Sequence, residues 1–265
     1  MISKSERLPL SRSEFLALLR KEGERRYHHR HPFHRLMHEG CLTRHQLQQW
    51  VLNRYYYQTR IPIKDALILS KSEDPAFRRT WIHRIHDHDG VGADDGGLVL
   101  WRRLARGLGL DDDEVRSLRS VLPGVRLACD SYVSFVRQAS LVEAVASSLT
   151  ELFAPNLMSA RLAAWERHYP WVDRSALEYF RARISRAADD SDEALSFVLD
   201  HAVSHESQMR CVAALIRKTE ILWRLLDSLY DASVPGTTKE KSVHDYDQSS
   251  CVDQKGTPSV RPDLA

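Results

Sequence analysis

Apolar and polar residues follow a helical pattern along nearly the whole chain, and no stretch shows the alternation of a strand or an Asn-Gly hairpin. Ser11-x-x-Glu14 is a capping box that opens a helix over Phe15 to about Arg26. A short helix follows Pro32 and stops at Gly40. Thr43-x-x-Gln46 opens the next, which Pro62 is expected to kink or interrupt. Asp74-Pro75 starts a helix that runs to Asp89-Gly90. Beyond a glycine-rich loop from Gly90 to Gly97, a helix through Trp101 ends near Gly109, Asp111 caps a short one, and Pro123 starts another that carries Tyr132. Ser140-x-x-Glu143 opens a long apolar helix that contains Glu151 and is broken at Pro155. Asp173 caps a helix with Tyr179 and Arg183, and Asp190-x-x-Glu193 opens the last and longest, ending near Tyr230. The pattern predicts an all-α protein, a compact multi-helix bundle.

Composition sharpens this. A length of 265 residues allows one large domain or two small ones, 43% hydrophobic content supplies a sizeable core, and no internal repeat is present. From Ser233 onward Pro, Gly, Ser, Thr, Lys and Asp dominate, too few apolar groups to order a segment. The expected organisation is one catalytic domain over 1–232 and a disordered tail over 233–265. A net charge of +2 gives no bulk electrostatic case for nucleic acid. No apolar run is long enough for a spanning helix, and Met1-Ile2-Ser3-Lys4-Ser5-Glu6 lacks a signal region, so a cytoplasmic protein without membrane contact is expected. The four cysteines are scattered without a Cys-x-x-Cys, and free thiols are expected.

Polar residues on helix faces that should point inward are the strongest functional signal. Arg54, Tyr57 and Gln58 share one face, and four consecutive large polar-ended residues from Arg54 to Tyr57 fit a solvated surface poorly. They point to a polar pocket inside the bundle. His28, His31 and His34 have a spacing that can bind metal, but no Glu-x-x-His occurs and Pro32 interrupts the run, so no metal is expected. Of His83, His86 and His88, only His88 adjoins the Asp89-Gly90 loop where a ligand can approach. Tyr179 and Arg183 are an i, i+4 pair, and Glu151 lies in a nearly uncharged run, where it needs a partner. No Gly-x-Ser-x-Gly, dinucleotide fingerprint or phosphate loop occurs.

Several ordered runs resemble the pyrroloquinoline quinone (PQQ) synthase family. They are Tyr27-His28-His29-Arg30-His31-Pro32-Phe33-His34, Asn53-Arg54-Tyr55-Tyr56-Tyr57-Gln58-Thr59-Arg60-Ile61-Pro62-Ile63-Lys64-Asp65-Ala66, and Asp87-His88-Asp89-Gly90. Val121-Leu122-Pro123-Gly124-Val125-Arg126, Ser147-Ser148-Leu149-Thr150-Glu151-Leu152-Phe153-Ala154-Pro155 and His168-Tyr169-Pro170-Trp171 continue the match, which spans about residues 10 to 232. The resemblance implies a haem-oxygenase-like helical fold without haem, and a homodimer; the tail after Ser233 reads either as a linker or as a docking arm for another protein of the PQQ pathway. It implies ring closure and eight-electron oxidation of a tricarboxylated quinone precursor by O2, releasing hydrogen peroxide. O2 is a co-substrate, PQQ the product, and no cofactor is needed. Carried over by position, His28, Tyr57, His88, Tyr179 and Arg183 are implied to be catalytic. Tyr27, Arg54, Gln58, Tyr132, Glu151, Arg161 and Lys218 are implied to bind substrate.

One position departs from the family. Its usual Ala-Pro-x-Ile-His is here Ala154-Pro155-Asn156-Leu157-Met158, so Met158 stands where the family has a histidine of the oxygen site. Methionine transfers no proton, so slower late oxidation steps are expected. Two other readings remain open: a relative that binds precursor or PQQ without completing oxidation, and a metal-dependent oxidase on the same scaffold.

Overall fold

The structure, a computed structural model, describes residues 7–92 and 95–233. Twelve α-helices joined by short 3-10 segments make up the described residues, with no extended strand among them. The bundle is built around α3 (Arg44–Leu69). Residues 50–58 of this helix are buried without a break, so its middle has no solvent face. It packs against α5 (His83–Asp89), α6 (Gly97–Gly107) and α8 (Pro123–Gln138). The long α12 (His205–Ser233) covers α8 and also packs against α1 (Arg12–Arg26) and α9 (Leu141–Ser147). On the remaining side α10 (Ala154–His168) packs along α11 (Glu178–His201). The other three helices are short: α2 (Pro32–His38), α4 (Pro75–Trp81) and α7 (Asp112–Ser117).

The predicted starts at Ser11, Thr43, Asp74, Asp111, Pro123 and Ser140 are present, and the boxes at Ser11, Thr43 and Ser140 have both reciprocal hydrogen bonds. Four expectations fail at internal boundaries. Pro62 does not interrupt α3, which continues through it; the buried side chains of Ile61, Lys64 and Asp65 hold this part of the helix although Pro62 has no N–H for the Gln58 carbonyl. The helix begun at Asp74 is divided by a turn at Ile82 into α4 and α5. The helix begun at Ser140 ends at Ser147, and Glu151 lies in a 3-10 segment, Ser148–Phe153. Pro155 therefore opens α10 rather than breaking a helix, as suits a proline in a first turn. Asp173 caps a 3-10 turn, Arg174–Leu177, that runs into α11, whose backbone stays helical past 190–193 to His201. The predicted last helix is thus the end of α11 followed by α12. Cys129 and Cys211 are free and buried, while Cys41 is disulfide-bonded, against the expectation of free thiols. The predicted N-terminal features and the tail beyond 233 lie outside the described residues.

A buried ion pair ties α3 to its surroundings. Lys64 Nζ lies 2.6 Å from Asp65 Oδ1 and donates to Ser148 Oγ at 2.8 Å, while Trp81 Nε1 donates to Asp65 Oδ1 at 3.1 Å. Both charged side chains are 1% exposed. Lys64→Met would strand the Asp65 carboxyl, and breaking such a buried pair costs about 3–5 kcal/mol. At roughly 2–4 °C per kcal/mol for a domain of this size, Tm is expected to fall by about 6–20 °C. Thermal unfolding by circular dichroism checks this, with Lys64→Met/Asp65→Leu expected to recover part of the loss.

Candidate active site

Side chains from α3, α5, α10, α11, α12 and two 3-10 segments converge on one cavity of about 70 Å³. Ten predicted site residues line it. Tyr27 and His28 come from the turn after α1; Arg54, Tyr57 and Gln58 from α3; and His88 from the end of α5. Glu151 and Met158 reach it from the 3-10 segment and α10, and Tyr179 and Arg183 from the start of α11. Ile61, Thr150, Ala154 and Leu222 complete the wall. Nothing in sequence separated these four from ordinary core or helix-end residues.

Three predicted substrate-binding residues stand one side chain behind the wall. Lys218 Nζ donates to Tyr57 Oη at 2.9 Å and sits 3.4 Å over the Tyr132 ring, whose hydroxyl is 3.2 Å from Ser147 Oγ. Arg161 is 2% exposed. Its Nη1 reaches Met158 Sδ at 3.9 Å, and its Nη2 donates to His34 Nε2 at 3.2 Å.

The histidine run divides into separate roles. His31 caps α2: its Nδ1 accepts from the Phe33 N–H at 3.1 Å and its Nε2 faces Asp227 at 3.1 Å. His34 Nδ1 donates to the His28 carbonyl at 3.0 Å, which leaves Nε2 as the acceptor for Arg161. Only His28 lines the cavity. Among the described residues, no three His, Cys, Asp or Glu side chains are grouped as metal ligands. His83 and His86 are exposed, whereas His88 is buried. Its Nδ1 lies 3.1 Å from the Arg84 carbonyl. A carbonyl only accepts, so Nδ1 carries the proton and Nε2 offers a lone pair. A side chain at Gly96 would collide with the His88 carbonyl, so glycine there allows the loop to press against the end of α5.

Charge is unevenly compensated. Glu151 is paired with Arg84 at 2.5 Å. Burial raises its pKa, but Arg84, Lys64 and Arg183 outweigh that and hold it at about 2. By contrast Arg54, Arg161 and Lys218, all buried, have no carboxylate in ion-pair contact among the described residues. Arg54 lies over the Tyr57 ring at 3.9 Å and Arg161 over Trp50 at 4.9 Å. Burial, reinforced by Lys64 and Arg54, pushes the Lys218 pKa well below its usual value. Burial and Arg54 bring that of Arg161 to about 9. Tyr27 and Tyr57 are pushed up by burial and stay phenols.

The buried histidines are held neutral. Burial and then Arg54 lower the His28 pKa, burial and Arg161 that of His34, and burial and Arg183 bring that of His88 to about 3. In the unfolded chain these groups titrate near 6.5. Below that pH the unfolded state binds protons that the folded state refuses, so stability is full above 6.5 and is lost as pH falls. Three such groups sum to roughly 4 kcal/mol per pH unit. The urea midpoint is therefore expected to drop steeply between about pH 6 and 4, and a flat profile would contradict neutral burial.

The helical arrangement and its central polar cavity define a haem-oxygenase-like protein. A domain of unknown function with this fold from Shewanella denitrificans superposes with a TM-score of 0.68 at 15% identity, covering 84% of this chain and 93% of that one. A TenA homologue from Pseudomonas syringae gives 0.65 at 13% identity, covering 85% and 98%. The family is set by sequence: the model of the TENA/THI-4/PQQC family matches residues 19–228, and the chain belongs to that family. It is 49% identical over 225 residues to the pyrroloquinoline-quinone synthase of Pseudomonas putida strain W619, covering 85% of this chain and 89% of the relative. It is 51% identical over 226 residues to that of Rhizobium meliloti, covering 85% and 88%.

Proposed function

We propose that this protein is an oxidase that completes PQQ biosynthesis, closing a ring in a tricarboxylated quinone precursor and oxidising it by eight electrons with O2, with hydrogen peroxide released. The relatives named above support this reading. The observation that carries it is the surplus of buried basic groups: Arg54 on the wall, with Arg161 and Lys218 behind it, have no carboxylate in ion-pair contact among the described residues. Uncompensated buried charge is costly, and a ligand with several carboxylates removes that cost. Arginine suits such a ligand because its planar fork meets a carboxylate with two hydrogen bonds.

The residues around the cavity then divide the work. Arg54 holds a carboxylate, and Gln58 and the phenols of Tyr27 and Tyr57 donate hydrogen bonds to substrate oxygens. His88, with Nε2 unprotonated, accepts a proton from the substrate. The arriving carboxylates offset Arg183 and raise the affinity of His88 for that proton. The deprotonated substrate is electron-rich enough to reduce O2 directly, and Tyr179 and Arg183 stabilise the reduced oxygen species. Neither metal nor flavin takes part. The free cavity is far smaller than the roughly 300–1,000 Å³ of a typical ligand site, so the helices must part to admit the precursor. The working form is a cytoplasmic homodimer that contacts other proteins of the pathway.

Anaerobic mixing with the precursor followed by O2 tests the proposal, with absorbance and peroxide followed together. Full conversion to PQQ with peroxide is expected. Tight product binding without peroxide would favour a binding-only relative, a reading that Met158 in the wall makes specific. Met158→His restores a proton-transferring group beside Arg161 and is expected to speed the late oxidative phases without changing precursor binding. Unaltered rates in every phase would remove any role for this position in oxygen chemistry.

A further inference from the structure

A file of aromatic rings leads from the cavity wall to the surface. Tyr179 lines the cavity, and its ring meets Trp101 edge-on at 4.7 Å. Trp101 lies 5.4 Å from Trp50, and Trp50 lies 5.8 Å from Trp165. Trp165 lies 5.8 Å from Tyr169, which is 6.4 Å from Trp171. The first five rings are buried, and Trp171 is 37% exposed. Packing explains an aromatic cluster. It does not by itself explain a series of oxidisable rings that begins on the wall of an oxygen-reducing site and ends in solvent.

The hydrogen bonding of these rings is the second observation. The indole N–H groups of Trp50 and Trp165 are buried without a partner among the described residues, an uncommon state for a buried donor. Trp101 Nε1 donates to the Val51 carbonyl at 2.9 Å, and the Tyr169 hydroxyl donates to the Met37 carbonyl at 2.9 Å. None of these surroundings takes up a proton, so the Tyr169 phenol, whose oxidation requires proton loss, couples Trp165 to Trp171 as a bridge without itself holding the radical. An indole oxidised there keeps its N–H proton, so the missing electron is not trapped and is refilled from the next ring. The Arg161 guanidinium, 4.9 Å from the Trp50 ring, disfavours positive charge and makes Trp50 a point of passage. Arg44 lies 4.6 Å over the Trp171 ring and disfavours positive charge there too, so the ring settles as the neutral radical once solvent accepts its N–H proton.

We propose that the file Tyr179, Trp101, Trp50, Trp165, Tyr169 and Trp171 is an electron relay that protects the site during O2 reduction, a role that rests on the function proposed above. Ground-state O2 has two unpaired electrons and takes electrons from a substrate anion singly. A hydroperoxyl radical that escapes the substrate radical is a strong oxidant beside Tyr179. It takes one electron from the file and one proton from water and becomes hydrogen peroxide. The substrate radical gives its next electron to another O2 molecule, as in ordinary turnover. Trp171 loses its N–H proton to water, and a soluble thiol restores the electron and the proton. The sum is one hydrogen atom moved from a thiol to a hydroperoxyl radical, leaving peroxide and a thiyl radical.

The product quinone provides the test, because photoexcited quinones take single electrons from phenols and indoles. Protein loaded with PQQ, with free quinone removed, is illuminated without oxygen beside a nitroso spin trap, and adducts are located by peptide mapping. The expected adduct is at Trp171. Trp165→Phe breaks the file without losing a hydrogen bond, and is expected to abolish most of that adduct while quinone binding persists. Trp171→Phe, at the surface, is expected to remove that adduct without a new one at Tyr169, whose hydroxyl faces only the Met37 carbonyl and has no group to take its proton. An adduct at Trp171 undiminished by Trp165→Phe overturns the relay alone, as does its absence in the wild type while the quinone radical forms. Failure of the quinone to bind overturns the relay and the proposed function together.

Discussion

Arg54→Met is expected to weaken precursor binding more than any other substitution in the cavity wall. The guanidinium is buried, lies over the Tyr57 ring at 3.9 Å and has no carboxylate partner among the described residues. The substrate carboxylate supplies that partner. Removing one member of a buried charge pair costs about 2–5 kcal/mol, because the other charge remains desolvated and unpaired. That corresponds to a loss of roughly 30- to 4,000-fold in affinity. Arg54→Lys keeps the charge but not the two-pronged geometry, and is expected to fall between wild type and Arg54→Met. Anaerobic titration of precursor absorbance measures both variants. Affinity unchanged in Arg54→Met would remove the charge argument on which the function rests.

His88→Asn is expected to slow single-turnover quinone formation by about 10²–10⁴-fold, the range attributable to a positioned general base. Asparagine keeps a donor for the Arg84 carbonyl, which His88 Nδ1 contacts at 3.1 Å, so the end of α5 stays in place. It offers no nitrogen lone pair toward the substrate. PQQ binding should stay near wild type, which separates a proton-transfer role from a positioning one. Unchanged single-turnover rates would exclude His88 as the base.

Much of the fold was legible because helix starts are local. A capping box needs residues only three apart, and those at Ser11, Thr43 and Ser140 are present as read. The failures lie where tertiary packing overrides local preference. Pro62 would disrupt an isolated helix, yet α3 is anchored on both sides of it by the buried Ile61, Lys64 and Asp65 and continues. The run after Ser140 is apolar enough for one helix, but the chain tightens into a 3-10 segment that brings Glu151 against Arg84. The 190–193 stretch has the spacing of a helix start, but helical backbone already runs through it.

For the site, sequence determined the chemical inventory. Large polar groups on inward faces of α3, His88 at a helix end and the Tyr179–Arg183 pair could be read without coordinates, because burying such groups without partners is too costly to be incidental. The family resemblance added Tyr27, His28 and Met158, which also line the cavity. Only tertiary structure separated wall from support. Lys218 and Tyr132 lie far apart in sequence from each other and from Tyr57, so no local spacing places them behind it, and Arg161, one turn from Met158, is joined to His34 only by the fold. Lys64 and Arg84 were not singled out in the sequence, although they pair with Asp65 and Glu151 and so leave the remaining basic groups for a ligand. Local sequence sets which groups can be charged and where helices begin; which charges remain unpaired depends on contacts between segments remote in the chain, and only the folded arrangement decides that.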